Sequence, residues 1–458
     1  MTTLVAGAGI GGLALGIALS RVGIETEIHE SWPEATPGAG AFLNISPNGM
    51  KALRAIGAAD SVADTGSPST GIEFYNHRGR QIGQLDSSEE ATKYGATNIM
   101  IRRADLHRIL LEHAQAARVT ITWGHRLEAV EETPDQVQVV FAGGDVATGS
   151  VLIGADGLHS QTRGHVVGDD IHPKYLGLVD VAGFSPVPPP GSIPGPQRMV
   201  FGRHAFFAYY IAPSGETWWF CNLPHASQPG RDDLEATTAE QWRSRLLNLH
   251  ADDPPQIVQI LKDSAPPAGA WPLTDLASIP TWHTNRVCLM GDAAHATSPS
   301  AGQGASLALE DAVVLAHQMA THGKNKQALA AFETERRPRV ESLIQLARRN
   351  SNTKTPGPIG GLLRDLLLPV FLRAGATAIG KQAYTYQPPT LENTSSAYGS
   401  MAPVRFLSSA KSSASSSSSS GVSTPQPRPP EATHPGPETP TGSSATSPIH
   451  RGSGDHAE

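Results

Sequence analysis

The chain has 458 residues, room for two or three domains, with a formal net charge of −7 and 39% hydrophobic residues. No Lys/Arg-rich block appears, so a nucleic-acid role has no support, and the two cysteines, Cys221 and Cys288, read as buried thiols in apolar runs. No charged-then-apolar leader opens the chain, and the best span candidate, Ile359 to Ile379, is broken by Arg364, Asp365 and Arg373, so a cytoplasmic protein without a membrane span is expected.

Thr2 to Glu30 reads as a strand, a glycine turn, a helix and a second strand ending on an acid. Gly7, Gly9 and Gly12 hold the G-x-G-x-x-G spacing, with Gly11 in the same run. Gly7 permits a tight turn, Gly9 lets backbone approach a pyrophosphate, and Gly12 lets the helix lie close on the strand. The helix N-terminus offers free N–H groups to phosphate oxygens. Glu30 falls where a carboxylate accepts hydrogen bonds from an adenosine ribose. These residues alone leave FAD and a nicotinamide nucleotide both open.

Pro47 to Gly57 has helical spacing at Met50, Leu53 and Ile56, and Ile72 to Leu85 reads as a hairpin turning at His77–Gly79. Ile101 to Ala117 reads as an amphipathic helix, and Val119 to Trp123 as a strand. Val130 to Phe141 and Val146 to Ile153 read as two more, separated by Gly143–Gly144–Asp145. From Val151 a buried strand runs into Gly154, with Asp156 and Gly157 at its carboxyl end, where open α/β sheets place ligands. Asp156 is expected to face a ligand, cap the following turn, or both.

Between residues 171 and 270 aromatic strands dominate: Met199 to Ile211 and Thr217 to Leu223, joined by Pro213–Ser214–Gly215. A proline-rich loop covers Pro186 to Pro196, and Gln241 to Leu249 and Gln256 to Leu261 look helical. The expectation is an antiparallel sheet with one face toward a pocket. Alternation puts Tyr209 and Tyr210 on opposite faces, and Trp218 out of phase with Trp219. Tyr209, Tyr210, Arg203, His204 and Trp218 are the candidates by position for catalysis and substrate contact.

Arg286 to Gly291 reads as another buried parallel strand, with Asp292 at its end. A loop then leads to a helix from about Ala305, and Gly302 and Gly304 bring amides and a helix N-terminus above the strand. A second long helix, Lys326 to Arg349, is expected to kink or restart at Pro338. The Ser- and Pro-rich stretch over 391–458 reads as disordered.

Three motifs stand in fixed order: Gly7 to Gly12, Gly154 to Arg163, and Gly291 to Ala312. Together they resemble the single-component FAD-dependent aromatic hydroxylases, the group of p-hydroxybenzoate, salicylate and urate hydroxylases and tetracycline-inactivating monooxygenases. The resemblance covers roughly residues 1–385. It implies an α/β fold: a Rossmann-like FAD-binding domain with an inserted antiparallel-sheet substrate domain and C-terminal helices. The implied FAD-binding domain takes 1–70, 98–168 and 272–350, and the substrate domain 71–97 and 169–271. A C-terminal helix region takes 351–390.

The resemblance also implies roles. Gly7, Gly9, Gly11 and Gly12 match the phosphate turn and Glu30 the ribose acid. Arg103 matches an arginine contacting FAD, and Leu127 a backbone meeting the adenine. Asp156 and Gly157 match a motif shared by FAD and NAD(P)H. Asp292 matches the acid on the ribityl and pyrophosphate part. Pro299, Gly302, Gln303 and Gly304 match the loop along the flavin ring. Ser306 stands where many members have Asn at its pyrimidine edge. The implied reaction consumes NAD(P)H and O2 and hydroxylates an aromatic or polycyclic compound through a flavin hydroperoxide, in a monomer or homodimer. On the same fold, an isoprenoid epoxidase, a reductase or a non-catalytic flavin sensor are the alternatives.

Overall fold

The computed structural model of the chain describes residues 1–34, 40–276, 278–297, 302–351, 365, 368 and 380–391. All fall in the first of two units into which the chain divides, Met1–Ser400 and Met401–Glu458. Pro299 and residues 392–458 of the Ser/Pro-rich tail lie outside the described residues.

The opening motif forms β1 (Thr3–Ala6), α1 (Ile10–Arg21) and β2 (Thr26–Glu30). All four β1 residues are buried, the pattern of a parallel strand covered on both faces. Next come β3 (Phe42–Ile45), α2 (Pro47–Ala55), α3 (Ala59–Thr65) and β4 (Ser67–Pro68). Pro47 sits in the first turn of α2, where a missing N–H leaves no bond unmade, and Gly57 follows its end at φ +78°. The hairpin β5 (Gly71–Asn76) and β6 (Gln81–Asp86) precedes α4 (Glu90–Tyr94), β7 (Ile99–Arg102) and α5 (Arg103–Ala116). The helix expected from Ile101 thus begins at Arg103. Ile101 and Arg102 belong to a strand that β3 holds by antiparallel pairing.

The chain continues through β8 (Thr120–Trp123), β9 (Leu127–Glu132), β10 (Val137–Phe141), β11 (Val146–Gly149) and β12 (Val151–Gly154). Two runs expected to be single strands are divided. Thr133 Oγ1 accepts from Gln136 N and donates to its carbonyl, closing a turn between β9 and β10. Between β11 and β12 the chain passes from one sheet to another, with Ser150 N donating to Thr2 O. After α6 (Gln161–Val167) come β13 (Lys174–Ser185), β14 (Pro196–Phe201), β15 (Phe206–Ile211) and β16 (Thr217–Pro224). Then follow α7 (Arg231–Ala236), α8 (Ala239–Leu249), α9 (Pro255–Asp263), β17 (Gly269–Asp275) and β18 (Val287–Leu289). The last elements are α10 (Asp292–His295), α11 (Gly304–His322) and α12 (Lys326–Ser351), which runs on through Pro338, and a π-helical turn at Gly380–Tyr384.

Five parallel strands, in order β18-β12-β1-β2-β8, form the central sheet, with β1 in the middle. Helices α1, α2, α5 and α11 bury one face. The antiparallel β9–β11 sheet covers the other, packing Val137, Val139 and Phe141 on Leu4, Ala6 and Leu152.

His29 lies on that second side. Its Nδ1 is 3.2 Å from His125 Nδ1, the rings are near parallel, and Phe141 flanks both. Glu27 stands 3.9 Å from His29, and Asp145 3.6 Å from His125. Desolvation, then the charge of His125, lower His29 from 6.5 to about 4. Between those values the folded chain binds fewer protons than the unfolded one. The stability from neutral His29 is therefore present above pH 6.5 and lost as pH falls toward 4. His29→Phe is expected to flatten the decline of the urea midpoint over that window; an unchanged slope would count against it.

A second large sheet has seven strands in order β17-β13-β16-β15-β14-β5-β6. It is antiparallel except at β14–β5, where the hairpin from far upstream joins in parallel. Phe207, Tyr209, Trp219 and Cys221 face α8 and α9 and pack on Trp242, Leu246 and Ile260. Alternation sends Phe184, Tyr210, Trp218 and Phe220 to the opposite face. There they meet Phe42 and Met100 of a small sheet ordered β3-β7-β4.

Candidate functional site

The carboxyl ends of β1, β2, β12 and β18 open on one cleft, because parallel strands end together. Gly7 has φ +100°, and a methyl there would stand 2.6 Å from Ala155 O. A methyl on Gly12 would stand 1.9 Å from Gly7 O, so the helix can start this close to the strand only without a side chain. Gly9, the N-cap of α1, has nothing within 4 Å of its would-be methyl. Gly11 turns instead toward Met290 and Ala308. The first amides of α1 have no intrahelical partner and sit at the positive end of its dipole.

Glu30 closes the β2 side. Its Oε2 accepts from Ala8 N at 2.7 Å, and its Oε1 from Ser31 Oγ and Trp32 N at 3.0 Å each. A carboxylate has about four acceptor positions, so Oε2 keeps capacity for a hydroxyl. His107 Nε2 donates to Ala8 O at 2.9 Å, fixing the loop from the other side. Gly124 N donates to Trp32 O and His125 N to Glu30 O. These bonds bring the backbone entering β9 at Leu127 beside Glu30, while the Leu127 side chain packs in the core.

Asp156 caps the start of α6. Its Oδ1 accepts from Ser160 Oγ at 2.6 Å, and its Oδ2 from Thr162 N at 3.0 Å and Thr162 Oγ1 at 2.9 Å. Gly157 has φ +76°, which a side chain rarely adopts, and its backbone needs no room of its own beyond that.

Asp292 opens α10 directly after β18. Its side chain is exposed on the cleft although protein surrounds it densely, and that surrounding raises its carboxyl. The charges of His295 and of Arg103, at the start of α5, pull it back. Arg103 also lies along Gly40, where a methyl would stand 2.8 Å from its Cδ. His295 is turned away from the cleft: its Nε2 lies 2.5 Å from buried Asp311 Oδ2. Asp292→Ala is expected to strip or weaken bound FAD while the apo chain stays folded; unchanged flavin content would refute its place at the cofactor.

The start of α11 differs in its side chains from the sequence expectation. Gly302 has φ +58° and Gly304 lies near Thr297. The Gln303 side chain bonds within the protein: Nε2 donates to Ser46 Oγ at 2.8 Å and Oε1 accepts from Asn48 at 3.1 Å. Ser306 is fully buried, and its Oγ accepts from Ser46 N at 3.2 Å, beside Gly49. The Ser306 Oγ thus accepts at Ser46, the N-cap of α2, and keeps its own hydrogen to donate. The unpaired amides of the first turn remain as the polar contribution of this helix.

The aromatic face separates four of the substrate candidates. Tyr210 and Trp218 stand together, ring centroids 5.7 Å apart, with Trp218 5.6 Å from Phe42. Burial pushes the Tyr210 hydroxyl up, with Ser67 pulling it back, so it is a neutral donor. Tyr209 is on the far face, between Phe207 and Arg198. Arg203 sits at the β14–β15 turn, 60% exposed and paired with Asp252. Both are therefore placed away from the aromatic face. Asn222 and Asp180 share that face, with Asn222 Nδ2 donating to Asp180 Oδ1 at 2.7 Å. Sequence reading missed them, although Asn222 is in phase with Trp218.

The glycine turn, Glu30, Asp156 and Asp292 thus lie at the carboxyl ends of neighbouring parallel strands, and the aromatic face belongs to the second large sheet. The chain belongs to the FAD binding domain family, which matches residues 1–347. It is a flavoprotein monooxygenase with FAD as cofactor. It is 33% identical over 355 residues to 3-amino-4-hydroxybenzoate 2-monooxygenase of Streptomyces cremeus, covering 75% of this chain and 85% of that one. It is 30% identical over 356 residues to the FAD-dependent urate hydroxylase of Klebsiella pneumoniae, covering 76% and 89%. The crystal structure of Klebsiella pneumoniae HpxO complexed with FAD and uric acid superposes with a TM-score of 0.74 at 26% identity, covering 84% of this chain and 96% of that one. Among the described residues no helix is long and apolar enough to cross a membrane, and no cluster of metal ligands occurs.

Proposed function

We propose that the chain takes electrons from NAD(P)H and places one oxygen atom of O2 on an electron-rich aromatic or polycyclic molecule. The observation that carries this reading is the aromatic wall of Phe42, Phe184, Tyr210, Trp218 and Phe220, formed where the seven-stranded sheet meets the small β3-β7-β4 sheet, whose strand β7 leads directly into Arg103. Bound FAD supplies the oxygen activation and transfer. The chain's residues do the rest. Gly7, Gly9 and Gly12 admit the pyrophosphate to the amides of α1, and Glu30 takes a ribose hydroxyl. Arg103 and Asp292, whose charges interact, would hold the middle of the cofactor. Gly302 and Gly304 bring the positive end of α11 toward the ring, which favours negative charge there. The aromatic wall keeps water out, and the Tyr210 hydroxyl donates to a polar substituent. The relatives named above act on a hydroxybenzoate and on urate, both electron-rich rings, which supports this substrate class.

The test is NAD(P)H oxidation by purified protein across a panel of phenols, N-heteroaromatics and polycyclic ketones, with product mass read under 18O2. A yellow protein is expected, bleached by NAD(P)H, reoxidised by air and stimulated by a subset of the panel. Consumption that yields only hydrogen peroxide with every compound would overturn the hydroxylase reading.

A further inference from the structure

His29 and His125 meet beside Glu30, and their contact depends on how many protons they carry. The facing Nδ1 atoms are 3.2 Å apart, the ring centroids 5.4 Å apart, and the ring planes differ by 5°. Together these values set the rings edge to edge in one plane, joined by a single N–H···N bond. One Nδ1 donates and the other accepts. Phe141 covers both rings from one side, its centroid 4.5 Å from His29 and 4.7 Å from His125. The outer nitrogens face carboxylates: His29 Nε2 stands 3.9 Å from Glu27, and His125 Nε2 3.6 Å from Asp145. His29 Nε2 is buried without a hydrogen-bond partner. The strands that flank β2 bring no titratable side chain, since β1 is Thr3–Ala6 and β8 is Thr120–Trp123. Arg126, next to His125, is exposed.

That geometry sets a limit on protonation. The neutral pair carries a proton in the shared bond and another on one outer nitrogen. One added proton settles on the free outer nitrogen, beside a carboxylate, and the Nδ1 bond survives. A further proton puts N–H on both Nδ1 atoms. Donors then face each other at 3.2 Å, and positive rings lie side by side where water is scarce. Burial first, then the charge of His125, hold His29 down to about 4, so this last step belongs to acid.

Backbone bonds connect the pair to the cofactor cleft. His29 O accepts from Gly7 N, in the phosphate turn, at 2.8 Å. His125 N donates to Glu30 O at 2.8 Å, and Gly124 N to Trp32 O at 2.7 Å. The Glu30 carboxylate in turn holds Ala8 N. Pushing the rings apart therefore strains the bonds that seat the Gly124–Arg126 turn against Glu30.

We propose that His29 and His125 are an acid-sensitive latch on the adenosine end of the cleft, closed while one proton is shared between the rings and opened when both Nδ1 atoms are protonated, so that acid speeds release of FAD from the folded chain. This rests on the placement of the adenosine at Glu30 and adds a regulation of that site.

The experiment follows FAD release from the full-length, FAD-loaded protein after dilution, read as the rise in flavin fluorescence, over a range of pH. Wild type is expected to release at a flat rate from about pH 8 to about pH 6, and about fivefold or more faster at about pH 4.5, with its far-UV circular dichroism unchanged. H29F and H125F keep an aromatic ring against Phe141 and remove one of the facing nitrogens, so both are expected to stay flat over the whole range. A flat wild-type profile, acceleration that persists in either variant, or release that coincides with loss of the far-UV signal overturns the latch. If one variant does not hold FAD at neutral pH, the other decides. E30A separates this inference from the placement of the adenosine. Release from E30A at the wild-type rate at neutral pH sinks that placement. Faster release from E30A with a flat wild-type profile in acid sinks the latch alone.

Discussion

Gly12→Ala is expected to give a protein without bound FAD and with a lowered melting temperature. The added methyl would stand 1.9 Å from Gly7 O and 3.1 Å from Gly7 C, both backbone atoms that cannot rotate aside. Gly7 cannot retreat either. Its amide donates to His29 O at 2.8 Å, and its own Cα faces Ala155 O across a gap too small for a methyl. The strain can be relieved only by lifting α1 from β1. Overpacking of this kind costs about 1–3 kcal/mol and sometimes more. It also moves the amides of α1 away from the position where the pyrophosphate is proposed to lie. Gly9→Ala makes the matched comparison. Its methyl meets nothing within 4 Å, and its φ of −73° suits any residue. The apo chain is then expected to lose no more than about 1 kcal/mol, the N-cap preference for glycine over alanine. Its FAD affinity is nevertheless expected to fall, because the methyl occupies the cradle. Flavin content after purification and melting of both apo variants read the two effects separately. A Gly12→Ala protein that melts like wild type with full flavin, or a Gly9→Ala protein that binds FAD normally, would remove the cradle from the cofactor site.

The cofactor half was the more legible part of the sequence, for a physical reason. Its strands are short apolar runs that end on glycine or acid, and its turns demand glycine at set spacings. Local chemistry therefore specifies β1, α1, β2, β12 and β18 without knowledge of their neighbours. The aromatic sheet is specified by pairing over long distances, which a single sequence does not display. Alternation told that Tyr209 and Tyr210 part company, but not which one turns toward Phe42. That is decided by α8 and α9, whose Trp242 and Ile260 claim the Tyr209 side. Asn222 and Asp180 were missed because the register joining β13 to β16 sets them side by side. Ser306 and Gln303 show the converse. Gln303 caps α11 and Ser306 lies in its first turn, and α2 packs so closely, with Gly49 against Ser306, that both side chains meet Ser46 at the start of α2.

Arg336→Met is expected to be among the most destabilising substitutions in the chain, at about 3–5 kcal/mol, the range for removing one member of a buried ion pair. Arg336 is fully buried between two adjacent acids. Its Nη1 donates to Glu310 Oε2 at 2.6 Å and its Nε to Asp311 Oδ1 at 2.7 Å. Glu310 retains Arg339 and Asn48, at 2.7 Å each, when Arg336 is lost. Asp311 is left with Gly291 N at 2.9 Å and His295 at 2.5 Å. Desolvation alone would raise the Asp311 carboxyl, but the charges of His295 and Arg336 outweigh it and hold it well below the usual carboxylate range. The stability linked to that depressed group is present above the ordinary carboxylate value and is lost as pH falls through the folded one. The deficit of Arg336→Met in urea denaturation is therefore expected to be flat from about pH 6 to 8 and to shrink only in acid. Asp311→Asn tests the same network from its other end and adds a reading at the cofactor. Asp311 anchors the Gly291 amide and His295, and so fixes the turn that presents Asp292. Weaker FAD retention is expected in Asp311→Asn as well as lower stability. The double variant Asp311→Asn with Arg336→Met should cost less than the sum of the singles, since each removes the partner of the other. Strict additivity, or an Arg336→Met deficit below about 1 kcal/mol, would mean that the acids find other partners and that the network does not hold the Asp292 turn.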